Sequence, residues 1–306
     1  MKVLVAGATG VIGRQLVPLL AATGHEVVGL SRSGRPVSGA ARVVEVDALD
    51  RAAVVAAVHV EAPDAVVNML TAIPAEIHPR SMAQEFAATN RLRTDASRYL
   101  TDAAVAAGVR RIVAQGVAFA YDPAPGNADE DQPLWRNPPR QFRLVLAALR
   151  ELEELTRDAG GVVLRLGQLY GPGTAWACDG SATVAVRAGR MPIVGGGGSV
   201  FSFTHVDDVA TATVAALEKT VTGPLNIVDD EPTPITEFLP ELAGLLGAPA
   251  PGRVPTLLAR AAVGGWGVAF MTRLRGADNS RARLTLDWRP RYPSWRNGFA
   301  HELVLR

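Results

Sequence analysis

Short apolar runs alternate with longer stretches of helical spacing through the first two thirds of the chain. The runs cover Met1–Ala6, His25–Leu30, Arg42–Val46, Asp64–Leu70, Arg111–Gln115 and Val162–Leu166, and they predict six strands. Most are apolar at successive positions, which suits a parallel sheet covered on both faces. Between them, apolar residues recurring every three to four positions predict helices over Val11–Ala22, Ala52–Val58, Ser81–Ala107 and Leu144–Ala159. Strand and helix alternating along most of this length, with no helix between the second and third runs, predict an α/β fold with a doubly wound parallel sheet of Rossmann type.

After Gly171 the pattern changes. GPGTAWACDG reads as loop and Ser181–Gly189 as a short helix, followed by a glycine-broken, strand-rich segment. Val206–Lys219 is helical, with Asp207 and Asp208 placed to cap it. PLNIVDDEP reads as a strand and turn, and Thr236–Leu246 as a helix ending at Gly247. The expected division is a main domain over residues 1–170 and a smaller C-terminal substrate lobe over 171–306. Segments at about 200–230 return to the main sheet.

The first strand–helix turn carries the strongest chemical signal. Gly7, Gly10 and Gly13 stand in G-x-x-G-x-x-G spacing between a β-run and a helix. Such a turn sets bare N–H groups and the positive end of a helix dipole against a pyrophosphate. Gly7 permits the sharp turn, Gly10 the close approach of phosphate, and Gly13 close packing of helix on strand. The spacing implies a bound dinucleotide, with an ordinary strand–helix turn as the competing reading. Thr9, Val11 and Ile12 belong to the same loop. The second strand ends in Leu30-Ser31-Arg32-Ser33, with Arg35 beyond, where NAD-preferring enzymes place an acidic residue. A hydroxyl and a guanidinium suit a 2′-phosphate, so Ser31 and Arg32 predict NADP(H) in preference to NAD(H). A merely solvated Arg32 is the alternative.

Composition narrows the partners. Of 306 residues, 48% are hydrophobic and 20% charged, and the net charge is +1, which gives no electrostatic case for nucleic acid or an anionic membrane. Arginines gather near the C-terminus, but Asp278 and Asp287 are interleaved, so a solvated surface is expected. The single cysteine, Cys178, excludes an intrachain disulfide and a multi-cysteine metal site, and no His/Asp/Glu spacing suggests a metal. The N-terminus reads as a strand rather than a signal peptide. Leu257–Phe270 is apolar but short and broken by Arg260 and glycines, so no membrane span is expected. A cytoplasmic protein acting on a small molecule is the expectation.

With these residues in place, the chain resembles the extended or atypical short-chain dehydrogenases/reductases, and within them the NAD-dependent epimerase/dehydratase family. GATGVIG, the Asp47 segment VVEVDALD, VVNMLTA, AAGVRRIVAQGVAFAY, RLGQLYGPG and FTHVDDVATA carry the likeness over nearly the whole chain. The resemblance implies an adenine contact at Asp47 and Ala48 and a cofactor-lining role for Met69, Leu70 and Thr71. It also implies an active-site asparagine at Asn90, and the long helices suggest a possible homodimer.

Two departures stand out. Members of the family place Ser or Thr after the fifth strand and a Tyr-x-x-x-Lys pair on the next helix. The lysine lowers the pKa of the tyrosine, which acts as acid/base. Here Gly116 and Val117 stand at the serine positions. Lys2 and Lys219 are the only lysines, and neither follows a tyrosine by four. In one register Arg143 and Ala147 replace the pair, and in another Leu146 and Arg150 do. Tyr121 is the best remaining hydroxyl, either as proton donor or as a structural tyrosine. Gln115 and Asn90 are candidates to bond a substrate carbonyl or to brace a junction, and Arg143 to bind an anion or face solvent. His205 reads as structural, and Trp135 and Trp176 as a wall for the substrate. Three functions fit: an NADPH-dependent reductase or epimerase/dehydratase-like enzyme, which is favoured; a non-redox cyclase, isomerase or dehydratase; and a non-catalytic NADP(H)-binding regulator.

Overall fold

The computed structural model of the chain describes residues 1–304. Strands β1 (Lys2–Ala6), β2 (Glu26–Ser31), β3 (Arg42–Glu45), β4 (Ala65–Asn68), β5 (Arg111–Val117) and β6 (Val162–Leu166) lie within a residue or two of the expected runs. β7 (Gln168–Tyr170), β8 (Ile193–Val194), β9 (Val200–Phe201) and β10 (Phe203–His205) lie outside the main sheet, and β11 (Gly223–Ile227) returns to its edge. The sheet order is β3-β2-β1-β4-β5-β6-β11, and every pairing in it is parallel. The order reverses between β1 and β4, and in such sheets the ligand crevice opens there, beyond the carboxyl ends of the strands. β4 stops early because the Asn68 Oδ1 accepts from the Leu70 N at 3.1 Å, which turns the chain out of the ladder.

Helix α1 (Gly13–Ala22) and α8 (Val206–Glu218) cover one face, and α2 (Arg51–Glu61), α5 (Ser97–Ala106) and α6 (Arg143–Asp158) the other. Strand alternation sorts the core between them. Val3 and Val5 pack with Leu16, Leu20 and Val209, whereas Leu4 and Ala6 pack with Val54, Val58 and Leu100. Residues 81–107 do not form one helix. They divide into α3 (Met82–Glu85), α4 (Ala87–Arg91), a π-type turn (Leu92–Ala96) and α5. The remaining helices are α7 (Ser181–Arg187), α9 (Ile235–Leu245), α10 (Thr256–Thr272), α11 (Ser280–Leu286) and α12 (Trp295–Val304). α10 holds the apolar segment near residue 260 and breaks at Gly264, where φ is +72°. Among the described residues, no helix is long and apolar enough to cross a membrane.

A second core, rich in aromatic rings, joins the C-terminal region to α6 and the loop after β5. Phe203 lies 4.6 Å from Phe238, and Tyr170 stacks on Phe299 at 4.8 Å. Trp135 and Trp176 belong to this core, 1% and 6% exposed, so they are not the cleft wall expected from sequence. Three of the C-terminal arginines are held in ion pairs: Arg296 with Glu231, Glu237 and Glu241 and Arg283 with Asp230 at the surface, and Arg281 with exposed Asp131 and buried Glu130.

Asp207 and Asp208 do not cap α8. His205 does, its Nδ1 accepting from the Asp207 N at 3.2 Å, and its Nε2 lies 3.1 Å from the Glu302 Oε1. Asp208 is buried and accepts from the Arg291 N at 2.6 Å and the Tyr292 N at 3.3 Å, tying the C-terminal segment to α8. Burial raises its pKa to about 6 despite those bonds. A carboxyl with a raised folded-state pKa adds stability that is full below its unfolded pKa, near 4, and is lost as pH rises through 6. The urea midpoint of the wild type, taken relative to Asp208→Asn, should therefore fall between pH 4 and pH 7, by up to about 3 kcal/mol in stability. A pH-independent difference would contradict this assignment.

Candidate functional site

The glycine loop is tightly wound. Gly7 has φ +90°, and a Cβ there would lie 2.8 Å from the Met69 carbonyl oxygen. The Gly10 N donates to the Gly7 O and the Arg14 N to the Gly10 O, both at 3.0 Å. The backbone N–H groups of Val11, Ile12 and Gly13 have no acceptor among the described residues. α1 begins at Gly13, two residues later than expected, with no carboxylate in its first turn. The loop thus offers three free amides and an uncompensated positive helix end, the donor set a pyrophosphate needs.

Beyond β2 lies a cavity of about 390 Å³ lined by Thr9, Arg14, Ser33, Arg35, Pro36, Val37 and Ser38. Its lining holds two guanidinium groups and several hydroxyls but no carboxylate, a set suited to a phosphate monoester. The Ser31 hydroxyl is buried beside it, 3.4 Å from that of Thr9 and 3.2 Å from that of Ser33. Arg32 is exposed and does not line the cavity. Arg14 and Arg35 line it instead. Arg35 is visible in sequence next to the strand end. Arg14 is not, because it reaches the cavity only through the tight turn, its Nε donating to the Thr9 O at 2.9 Å. Asp47 is exposed after β3, its Oδ1 accepting from the Leu49 N, and Ala48 is buried beside it. Met69 is buried, Leu70 half-buried and Thr71 exposed where the chain leaves β4. All of these candidates lie along one edge of the sheet, at the carboxyl ends of β1 to β4.

The acid/base candidates do not converge in the same way. Tyr121 is 1% exposed. Its hydroxyl donates to the Asn226 Oδ1 at 2.6 Å and accepts from the Arg165 Nη1 at 2.8 Å. Burial pushes its pKa up to about 12. The structure places Tyr121 in the core, with both hydrogen-bonding directions occupied. Gln115 lies half-buried on β5, and no described residue bonds its side chain. Asn90 lies on α4, half-buried, with its Oδ1 enclosed and unpartnered. Arg143 opens α6 and is exposed without an ion pair among the described residues. α6 reads RLVLAALRELEELTRD, with no tyrosine, lysine or serine. Leu146 is buried, and Arg150 is turned to the Trp135 carbonyl at 2.8 Å. Neither sequence register supplies a proton relay.

One residue escapes the sequence reading. Arg93, on the π-type turn, is buried, and its Nη1 has no partner. Thr89 and Ser97 flank it at four-residue spacing and hold the segment leaving β4. The Ala72 N donates to the Thr89 Oγ1 at 3.1 Å, and the Asn68 Nδ2 to the Ser97 Oγ at 2.9 Å. The signal was an arginine on the sheet-facing side of a helix, between two small polar residues.

Residues 3–228 match the model of the NAD dependent epimerase/dehydratase family, and the chain belongs to that family. It is 47% identical over 306 residues to a Streptomyces protein named 3-diazoavenalumate denitrifying reductase, covering 99% of this chain and 100% of that one. Among solved structures, it resembles MoeE5 in complex with UDP-glucuronic acid and NAD. The TM-score there is 0.74 and the identity 28%, over 98% of this chain and 97% of that one. The human epimerase family protein SDR39U1 (isoform 2) with NADPH shares the fold, with a TM-score of 0.77 and 24% identity over 98% of each chain.

Proposed function

We propose that this family member is an NADPH-dependent reductase that removes a diazo group from a small carboxylic acid, leaving hydrogen in its place. The observation that carries the reading is a dinucleotide cradle without a proton relay. Reduction of a carbonyl leaves negative charge on oxygen and needs a proton there, and a positioned donor contributes about 10²–10⁴-fold. A diazo group in its diazonium form has no such need. The electron pair of the hydride forms the new C–H bond, the C–N pair departs with N₂, and the positive charge is cancelled. No proton is consumed, so the missing tyrosine and lysine cost nothing. The name of the 47% identical Streptomyces protein points to the same chemistry.

A reduced nicotinamide dinucleotide, when bound, supplies the hydride. The residues of the chain do the rest. The amides of Val11, Ile12 and Gly13 take the pyrophosphate. Arg14, Arg35 and Ser33 take a 2′-phosphate, which favours NADPH over NADH. Met69, Leu70 and Thr71 line the crevice near the switch point, and Gln115 and Asn90 supply neutral hydrogen-bonding groups on its substrate side.

The test mixes the protein with 4-deuterated NADPH and an arenediazonium carboxylate. The expected result is one N₂ released per NADPH oxidised, with deuterium on the carbon that carried nitrogen. Turnover of simple ketones should be at least about 100-fold slower. Nucleotide oxidation on ketones without N₂, or N₂ release without nucleotide oxidation, would overturn the reading. NADH binding as tight as NADPH binding would overturn the roles of Arg14 and Arg35.

A further inference from the structure

Arg93 is a charged group that the fold buries and leaves without a partner. It is 5% exposed, and no described residue accepts a hydrogen bond from it. Buried guanidinium groups are ordinarily paired, because an isolated buried charge forfeits its hydration with nothing in return. The other buried arginine among the described residues, Arg165, obeys that rule through two bonds to Glu153 at 2.8 and 2.7 Å. Arg93 has no such compensation, and burial alone lowers its pKa to about 10, so it stays charged at neutral pH.

Its place follows from its neighbours. Thr89 and Ser97 lie about one turn to either side, and both bond the chain at the carboxyl end of β4. Arg93 lies between them in sequence, at four-residue spacing, on the same run of helix, which is bonded to that end of the sheet. Three residues earlier, the Asn90 Oδ1 is also buried and unpartnered. A charged donor and a neutral acceptor therefore stand three residues apart, both unsatisfied, on the segment that is bonded to the carboxyl end of β4. Local rules of stability are broken in this way where a ligand completes the site.

We propose that Arg93 binds the carboxylate of the substrate, with Asn90 accepting from a donor group beside it. Choosing a substrate carboxylate as the anion rests on the reductase reading, but the test needs no turnover.

The experiment titrates the NADP⁺-loaded protein with 4-hydroxycinnamate and with its methyl ester by calorimetry, in the wild type, Arg93→Met and Arg93→Lys. Thermal unfolding of the nucleotide-free protein is measured alongside. The wild type should bind the acid about 30-fold more tightly than the ester. Arg93→Met should erase that preference, leave ester and NADP⁺ affinities within about threefold, and raise the melting temperature by about 2–4 °C, because an uncompensated buried charge is gone. Arg93→Lys should keep part of the preference. Equal binding of acid and ester by the wild type would overturn the proposal. So would a loss of acid and ester affinity together with a lower melting temperature, which marks a structural arginine. A loss of NADP⁺ affinity with the acid unaffected would assign the guanidinium to the nucleotide and also overturn it. Failure of N₂ release from a diazonium substrate would refute the reductase reading and leave these binding results standing.

Discussion

Replacing Arg165 by methionine should lower the unfolding free energy by about 3–5 kcal/mol, read as a shifted urea midpoint. Arg165 lies on β6 and grips Glu153 of α6 with two parallel hydrogen bonds, while its Nη1 donates to the Tyr121 hydroxyl. Tyr121 passes the chain of bonds to Asn226 on β11. Asn226 in turn donates from its Nδ2 to the carbonyls of Ala128 and Asp278, and its backbone N donates to the Glu130 Oε1. One guanidinium thus ties together a helix, two sheet strands and the loop after β5. Its removal strands a mostly buried carboxylate and a phenol in low dielectric. Tyr121→Phe tests the same cluster more gently. It should cost about 1–3 kcal/mol, because the Asn226 Oδ1 loses its donor, and change kcat less than twofold. A hundredfold fall in kcat at unchanged stability would make Tyr121 the proton donor after all. A loss below 1 kcal/mol in Arg165→Met would mean that water replaces the ion pair.

Gly13→Ala should weaken NADPH binding by at least about 100-fold and destabilise the fold by about 3 kcal/mol. A Cβ at Gly13 would lie 2.3 Å from the Gly7 O and 2.5 Å from the Ala8 O. Both obstacles are backbone in the tight turn, so the relief is for α1 to withdraw from β1. Withdrawal unpacks Leu16, Val17 and Leu20, which are fully buried, and displaces the free amides of Val11 to Gly13. Gly24→Ala is the matched control. Gly24 has φ +86°, but nothing lies within 4 Å of a Cβ there. It should cost about 1–2 kcal/mol from backbone strain and leave nucleotide affinity unchanged. Equal effects of the two substitutions on binding would show that the close packing at Gly13 plays no part in the site.

The sheet was legible because a strand buried on both faces must be apolar at successive positions, and few other structures require that. The glycine loop was legible because its chemistry uses backbone, and only glycine leaves backbone bare. Side chains on irregular segments were not. Trp135 and Trp176 stand in loops whose sequence does not say which way a ring points, and the aromatic core takes both. Arg14 shares no sequence neighbourhood with Ser33 and Arg35, and the turn alone brings it to them. The stretch 81–107 has unbroken helical periodicity, yet it breaks near Phe86 and widens to a π-type turn at Leu92–Ala96, which apolar spacing alone does not signal. Asp207 and Asp208 had the composition of a cap, but they lie inside the first turn of α8, and His205 stands at the position before it, where its ring accepts from the Asp207 N.

The place of β11 in the sheet has a consequence for synthesis. Its partner β6 ends at Leu166, and β11 starts only at Gly223. At about 5–20 residues per second, a ribosome takes roughly 3–11 seconds to cover that interval. Throughout it, the apolar edge of β6 stands open to other nascent chains. The Arg165 grip on Glu153 and Tyr121 involves only residues already made, so it can hold β6 in register while the edge waits for its last strand.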